Sequence, residues 1–423
     1  MNLPNYVTRA ERRGPSFDLI ATYEPEGVFF ERSGLGAAAG AATASRYTFN
    51  ATGAGAPDVA DMLERTFAHI SGDDAEPDSP PPLVFVSVPF DPSRSGVVVL
   101  PARTVRRDRE GETWQLSILP VDQDSEIGAP GERFVGRPTP HPAFSGMQLR
   151  PVPTPDVYCR AVAEATRRIR AGELGKVVLA RTLEIAAGRR LDPAQLLWRL
   201  RAVDPECYSF AFPTGERRPK VLVGASPELL VSRRGLEVRS EPLAGSAPRS
   251  GDPDKDRASG EELLSSAKNR EEHAIVVEAI EESLTPLCAT LEHDPDPVLL
   301  ATANVWHLST RFRGTLREPA PDALSLAIAL HPTPAVCGTP RSVANRLIRE
   351  LEPFDRDGYA GPVGWVDADG DGEFALALRC AELRGDQARL FAGAGIVADS
   401  DPALELDETE RKFRALVDAL RWS

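Results

Sequence analysis

The chain has 423 residues, of which 42% are hydrophobic and 26% are charged, so it can bury a sizeable core. Its formal net charge of −14 repels phosphate backbones and anionic lipid, which argues against nucleic acids and membrane surfaces as partners. No apolar segment reaches the roughly 18 residues of a membrane span, and residues 1–14 lack the apolar core of a signal peptide, so we expect a cytoplasmic protein.

The N-terminal part of the sequence predicts short buried strands at 27–30, 83–88 and 96–100, separated by turn-forming residues. Residues 128–155 contain seven prolines and therefore predict a long connector rather than a helix or strand. We accordingly distinguish an N-terminal subregion, 1–150, from the part of the chain that follows the connector.

After the connector, the pattern predicts a succession of helices and strands. Thr154 and Pro155 are typical of a helix start, and apolar residues then recur at helical spacing until Gly172. Residues 176–185 alternate as a β-strand does, which places Lys176 at the strand entrance. The further predicted strands are 221–225, 229–232, 363–366, 374–380 and 389–394.

Two later helices are also predicted. Ser259 and Glu262 have the spacing of a capping box, so we expect one helix from 259 to 284. Asp401, followed by Pro402, predicts the start of a final helix that runs to Arg421. Helices and strands interleave without regular β-α-β repetition, which indicates a mixed α/β fold of another kind.

Two short motifs resemble ligand sites but fit them poorly. Asp367, Asp369 and Asp371 copy the start of a calcium-binding loop, but Leu378 stands at the twelfth position, where a bidentate Glu is required. Residues 34–40 resemble a dinucleotide-binding loop whose third glycine comes one residue late. We interpret the aspartates as a turn between strands, and a non-catalytic metal- or nucleotide-binding module is the alternative from another functional class.

Polar residues in the second half favour a different kind of site. Glu405, Glu408 and Lys412 share one face of the final helix, and Glu272 lies in the preceding long helix. Arg379 falls within a predicted strand. Carboxylates from distant helices, combined with an arginine, are typical of a site where Mg²⁺ is shared between protein carboxylates and substrate oxygens.

Ten ordered stretches of the sequence resemble the chorismate-utilising enzymes. They are KVVLAR (176–181), GASPELL (224–230), PLAGS (242–246), SAKNREEH (266–273), WHL (306–308), HPTPAVCG (331–338), EPFDRDGYAGPVGW (352–365), ALRCAEL (377–383), AGAGIV (392–397) and ETERK (408–412). The resemblance covers about 155–420 and is weak over 1–150. It implies one chorismate-binding domain over 1–423, with two stacked, mainly antiparallel sheets and helices packed outside.

Within this family the nucleophile that attacks the chorismate ring differs between branches. Enzymes that make aminodeoxychorismate carry a lysine where this chain has Ala244, and anthranilate synthases typically carry Thr where it has Ser246. Salicylate-forming relatives usually carry Thr where it has Ala335. The resemblance therefore favours isomerisation of chorismate to isochorismate, with salicylate formation or an ammonia-using reaction as the alternative, for a siderophore, menaquinone or other pathway.

The resemblance also implies roles for individual residues. Lys176 would be the base that activates water for attack at C2, and Glu228 the acid that protonates the departing C4 hydroxyl. Glu272 and Glu408 would hold Mg²⁺ on the ring carboxylate, with Glu405 acting through water.

Arg379 would bind the enolpyruvyl carboxylate, helped by the backbone near the glycines of the AGAGIV stretch. The remaining expected substrate-binding residues are Ser246, His307, Ala335, Gly393, Gly395 and Lys412. Asn269 stands where relatives often carry Asp. We expect a monomer that works without an amidotransferase subunit.

Overall fold

The computed structural model describes residues 5–13, 18–24, 27–33, 35–39, 43–51, 59–74, 79–108, 111–121, 146–214 and 220–421. Most of the predicted connector, and both outer glycines of the 34–40 motif, lie outside these ranges. Among the described residues, none of the helices has the length and apolar character needed to cross a membrane.

The described helices are α1 (Val59–Phe67), α2 (Pro155–Arg170), α3 (Pro193–Val203), α4 (Pro253–Ser265), α5 (Ala267–Leu284), α6 (Ala323–Leu330), α7 (Arg341–Leu351) and α8 (Pro402–Arg421). The strands before α2 are β1 (Tyr6–Arg13), β2 (Val28–Arg32), β3 (Leu35–Ala39), β4 (Thr43–Asn50), β5 (Ile70–Asp74), β6 (Leu83–Ser87), β7 (Ser95–Pro101), β8 (Arg103–Arg107), β9 (Thr113–Pro120) and β10 (Gln148–Val152).

The strands after α2 are β11 (Lys176–Ala186), β12 (Tyr208–Thr214), β13 (Lys220–Ser226), β14 (Leu229–Arg234), β15 (Glu237–Glu241), β16 (Leu243–Pro248), β17 (Cys288–His293), β18 (Val298–Ala301), β19 (Val305–Ser309), β20 (Phe312–Leu316), β21 (Gly338–Thr339), β22 (Pro362–Asp367), β23 (Gly372–Leu376), β24 (Cys380–Arg384) and β25 (Gln387–Ile396).

These strands form two large sheets and one small sheet. The larger sheet has the order β10-β11-β25-β24-β13-β12-β2-β3-β8-β9-β1-β5, with β21 beside β11. The second has the order β17-β20-β15-β14-β23-β22-β6-β7-β4, and the small sheet is β16-β19-β18. Pairing is predominantly antiparallel, with β1 and β5 parallel. The expected fold class is therefore confirmed.

The main core lies between the two large sheets. Phe212 of β12 and Phe85 of β6, which belong to different sheets, meet edge to face with ring centroids 6.3 Å apart. A second apolar cluster covers the other face of the larger sheet, where Leu197 of α3 and Leu420 of α8 pack with Leu390 of β25. Burying apolar surface on both faces explains why helices lie outside the stacked sheets.

Several predicted elements are confirmed. The helix predicted from Pro155 is α2, and the strand predicted from Lys176 is β11. The final helix begins where expected, because Asp401 Oδ1 accepts hydrogen bonds from the backbone N–H groups of Ala403 and Leu404. Its carboxylate thereby satisfies two N–H groups that the first helical turn leaves open.

The single helix predicted over 259–284 is wrong. The chain forms α4 and α5 instead, because Ser266 is extended and its hydroxyl accepts a hydrogen bond from the N–H of Asn269. The first helix also begins earlier than predicted, at Pro253, where Asp252 caps it. A serine side chain can replace the missing helical acceptor, so a helix can restart without a loop.

The strand predicted over 374–380 forms and pairs with the strand predicted over 363–366, but its predicted end is wrong, because Arg379 does not lie in a strand. β23 ends at Leu376 in the second sheet, whereas β24 begins at Cys380 in the larger sheet. Arg379 lies between them with a left-handed backbone (φ +46°). The chain changes sheets here, so the arginine stands between the layers.

The aspartate motif forms the predicted turn between two strands. Asp367 Oδ1 accepts from the backbone N–H groups of Asp369 and Asp371, and its other oxygen accepts from Arg106 at 3.1 Å. These bonds join β22 to β23 and occupy the first aspartate of the motif.

Candidate active site

A cavity of about 100 Å³ collects most of the residues singled out in the sequence. β11 and β25 contribute Val178, Gly393 and Gly395 to its wall, and the small sheet contributes Ser246 and His307. The other predicted residues that line it are Glu228, Glu272, Ala335, Arg379, Glu408 and Lys412. Residues far apart in the sequence therefore meet in one place.

Lys176 is completely buried and is not among the residues that line this cavity. Its Nζ is 2.9 Å from Glu272 Oε1, a cavity-lining carboxylate that α5 carries. The pair explains why a lysine is tolerated at the start of a buried strand, because an unpaired charge there would be costly. Lys176 is therefore connected to the cavity through its contact with Glu272.

Gly395 makes room for this pair. A Cβ atom at position 395 would lie 2.1 Å from Glu272 Oε1 and 3.2 Å from Lys176 Cε. Any larger residue would push the carboxylate out of place. The AGAGIV stretch thus contributes space as well as backbone groups.

Glu228 is a buried carboxyl at the turn between β13 and β14. Burial raises its pKa to about 8, although the N–H of Leu243 and the charges of Lys176 and Lys412 act in the opposite direction. Below that pH the side chain is a carboxylic acid. Glu228 is therefore suited to donate a proton at neutral pH.

Glu408 remains a carboxylate. Burial acts to raise its pKa, but Lys412, which donates a hydrogen bond to Glu408 Oε1 at 2.6 Å, and the hydroxyl of Ser246 together hold it below the usual value. Lys412 also donates to the carbonyl oxygen of Gly393 at 2.8 Å. Glu228 and Glu408, two of the three acids that line the cavity, consequently differ in protonation.

Glu405 does not line the cavity. It is buried, and its Oε1 pairs with Lys268 Nζ at 3.0 Å. Burial and the neighbouring charge of Glu408 raise the pKa of Glu405, against the effect of Lys268. The ion pair with Lys268, which the sequence did not predict, thus holds the Glu405 carboxylate outside the cavity lining.

Arg379 and His307 are hydrogen-bonded to each other. Arg379 Nη2 is 2.6 Å from His307 Nε2, and His307 Nδ1 is 3.2 Å from the carbonyl oxygen of Gly245. Burial, with Arg379 and Lys412 nearby, holds the pKa of His307 well below its usual value. The neutral ring therefore donates from Nδ1 and accepts from Arg379 at Nε2. His307 orients the guanidinium.

Gly245 and Asn269 support this arrangement. Gly245 has a left-handed backbone (φ +71°), and a Cβ there would lie 3.1 Å from Asn269 Oδ1. Asn269 Nδ2 donates to Ser266 Oγ at 2.8 Å. The asparagine thus packs on the glycine whose carbonyl oxygen holds His307.

Sequence reasoning missed the aromatic wall of the cavity. Tyr359 and Phe391 both line it and stack with ring centroids 5.0 Å apart and planes 9° apart. Tyr359 lies within one of the ten motif stretches, EPFDRDGYAGPVGW, and that position in the sequence could have identified it as a cavity residue. The wall gives one side of the cavity an apolar, planar surface.

Known proteins are similar to this chain over most of its length. Residues 16–421 match the family model described as chorismate binding enzyme. The chain is 41% identical to isochorismate synthase DhbC of Bacillus subtilis, over 80% of this chain and 81% of that protein. It is 38% identical to isochorismate synthase EntC of Escherichia coli K12, over 79% and 80%.

A solved structure shows the same fold. MenF, the menaquinone-specific isochorismate synthase from Escherichia coli, superposes with a TM-score of 0.81 at 27% identity, covering 99% of this chain and 95% of that one. The family match spans both the N-terminal subregion and the cavity residues. This chain is therefore an enzyme of the chorismate-binding family.

Proposed function

We propose that this enzyme is an isochorismate synthase, which isomerises chorismate to isochorismate. The observation that carries the proposal is a cavity lined by Glu228, a carboxyl protonated at neutral pH, and by Glu272, which contacts the buried Lys176. The reaction needs both a base and an acid. Water forms a bond to C2 of the ring, the double bonds shift, and the C4–oxygen bond breaks.

Lys176 is proposed to take the proton from the attacking water. A general base must carry no proton at the moment when it accepts one from water. Glu228 is proposed to give its proton to the C4 hydroxyl, which leaves as water. One proton is taken and one is given, so substrate and product are isomers.

The cations of the cavity are proposed to bind the substrate's two carboxylates. Arg379 is held by His307 and stands between the sheets, while Lys412 is fixed by Glu408 and Gly393. An acidic protein of net charge −14 can bind a dianion only where local positive charge offsets its field. The chorismate dianion is thus the expected small-molecule partner.

The residues present fit a magnesium ion. Glu272 and Glu408 come from different helices and both line the cavity, and Mg²⁺ is commonly held by one or two carboxylates together with waters and substrate oxygens. Within the described ranges, no cluster of three His, Cys, Asp or Glu suits a metal, so waters or substrate oxygens would complete the coordination. Bound there, the ion would offset the charge of the ring carboxylate.

Two alanines in the cavity lining argue against the alternative reactions, amine transfer and salicylate formation. Ala244 lines the cavity where a lysine would be needed for a covalent amine pathway, and Ala335 lines it where a threonine would be expected for salicylate formation. We further propose that the enzyme is a cytoplasmic monomer that works without an amidotransferase subunit. Its product would feed siderophore or menaquinone synthesis.

Product analysis tests this proposal. Purified protein, chorismate and Mg²⁺ should give isochorismate by chromatography, without pyruvate and without any change when ammonium is added. Stoichiometric pyruvate would indicate salicylate formation, and an aminated product would indicate an ammonia-using enzyme. Either result would overturn the assignment.

A further inference from the structure

A second cavity, of about 330 Å³, lies between the two large sheets and shares no lining residue with the first. The β2–β3 hairpin and β8 of the larger sheet form one wall, and β14, β15 and β20 of the second sheet form the other. Its volume is within the range of small-molecule sites. The proposed reaction does not use it, and of its lining residues only Leu229 and Trp365 belong to the ten motif stretches.

Arginine dominates the lining of this second cavity. Seven arginines stand against four carboxylates, whereas the whole chain has 49 basic and 63 acidic residues. The arginines are Arg32, Arg106, Arg107, Arg234, Arg239, Arg311 and Arg313. Lining guanidinium groups outnumber lining carboxylates, which favours anions, although Asp367, Glu237 and Asp294 each pair with one of these arginines from outside the lining.

The inner arginines are fixed by aromatic rings. The guanidinium of Arg106 lies 4.4 Å from the centroid of Trp365 and pairs with Asp367 at 3.1 Å. The guanidinium of Arg32 lies 4.9 Å from the centroid of Tyr208 and donates to its hydroxyl at 3.1 Å. Stacked, hydrogen-bonded guanidinium groups lose little freedom when an anion arrives.

Two other arginines are available for a ligand. Among the residues that the structure describes, the side chains of Arg234 and Arg313 form neither an ion pair nor a hydrogen bond with another side chain. Arg311 pairs with Asp294 at 2.8 Å, whereas Arg313 acts on that carboxylate only through its charge and forms no ion pair with it. Guanidinium groups without carboxylate partners bind carboxylates or phosphates in a bidentate manner.

We propose that this second cavity binds a small organic polyanion, one that carries two or more carboxylate or phosphate groups. The fixed arginines of the inner wall and the unpaired arginines would bind different acidic groups of one molecule. The ligand is therefore a compact molecule with separated negative charges rather than a single anion.

Calorimetric titration tests the proposal with two probes, tricarballylate and pyrophosphate. Both are used in low-salt buffer without Mg²⁺, because salt screens the interaction and the metal would bind the probes. The variants are the double substitution Arg234→Ala/Arg313→Ala, the active-site variant Arg379→Ala, and Arg346→Ala, which removes an exposed arginine on α7. Melting temperatures establish that each variant is folded.

At least one probe should bind the wild type at one site per chain, and the double variant should bind it at least tenfold more weakly. Arg346→Ala and Arg379→Ala should bind within twofold of the wild type. The tighter probe identifies the acidic group as carboxylate or phosphate. No binding of either probe, equal binding by a folded double variant, or loss of binding in Arg379→Ala would overturn the proposal.

Discussion

At the scale of single residues, environment rather than residue type sets the chemistry of the cavity. Glu228 and Glu408 both line the cavity. Burial raises the pKa of Glu228, whereas Lys412 and Ser246 lower the pKa of Glu408. Two acids whose pKa values differ in this way can serve different roles, one as a proton donor and one as an anionic ligand.

The first prediction concerns Glu228 and pH. Its pKa of about 8 means that the proton donor is present below pH 8 and is lost as the pH rises through that value. We expect kcat/KM of the wild type to fall above pH 8, and Glu228→Gln to lower kcat by about 10²-fold or more. Steady-state kinetics from pH 6 to 10 measure both. A Glu228→Gln enzyme with the wild-type kcat would refute the assignment of the acid.

The second prediction concerns Lys176. Lys176→Ala should lose about 10²-fold or more in kcat with a modest change in KM, because a general base acts in the chemical step. Lys176→Arg should not restore activity, since a guanidinium does not release its proton near neutral pH. Lys255→Ala, an exposed lysine on α4, is the matched control. Should Lys176→Ala keep more than a tenth of the wild-type kcat, the base lies elsewhere.

At the scale of elements, helices α5 and α8 supply Glu272 and Glu408 to the cavity from the fourth and the last of the ten motif stretches. The break at Ser266 starts α5 afresh, so Glu272 lies in its second turn, opposite Lys176. The periodicity of apolar residues predicts α8 correctly but predicts α4 and α5 as one helix. The spacing of apolar residues stays helical across Ser266, so it does not show that this serine caps a new helix. The position of Arg379 between two strands could not be predicted either, because an alternating pattern does not show where a chain passes from one sheet to another.

The third prediction tests these carboxylates as magnesium ligands. Glu272→Gln and Glu408→Gln should each raise the Mg²⁺ concentration needed for half-maximal activity at least tenfold, because a neutral amide is a poorer ligand for a hard cation. Calorimetric titration with MgCl₂ should show the same loss without turnover. Glu271→Gln, an exposed neighbour on α5, should match the wild type. Unchanged Mg²⁺ dependence in both cavity variants would contradict the site.

At the scale of the whole molecule, strands from the beginning and end of the chain share sheets. β2 pairs with β12, and β6 pairs with β22, so both large sheets contain strands of the N-terminal subregion. The ten motifs could predict the first cavity because its residues lie almost entirely within them. They could not predict the arginine-lined cavity, whose walls form only when distant strands pair.

The fourth prediction follows from this pairing. A fragment of residues 146–423 should fail to unfold cooperatively and should have no measurable activity, because β12 and β22 lose their partners and Phe212 loses its contact with Phe85. Near-ultraviolet circular dichroism during heating compares the fragment with the full chain. A sharply melting, active fragment would show instead that the region after the connector folds as a separate domain.

The central claim is that a water molecule, activated in this cavity, adds to the chorismate ring. The most direct measurement is mass spectrometry of the product formed in ¹⁸O-labelled water. One labelled oxygen should enter each isochorismate molecule, at the C2 hydroxyl, because the C4 hydroxyl leaves and solvent replaces it. Isochorismate without the label would mean that the hydroxyl migrates within the substrate, and would contradict the roles proposed for Lys176 and Glu228.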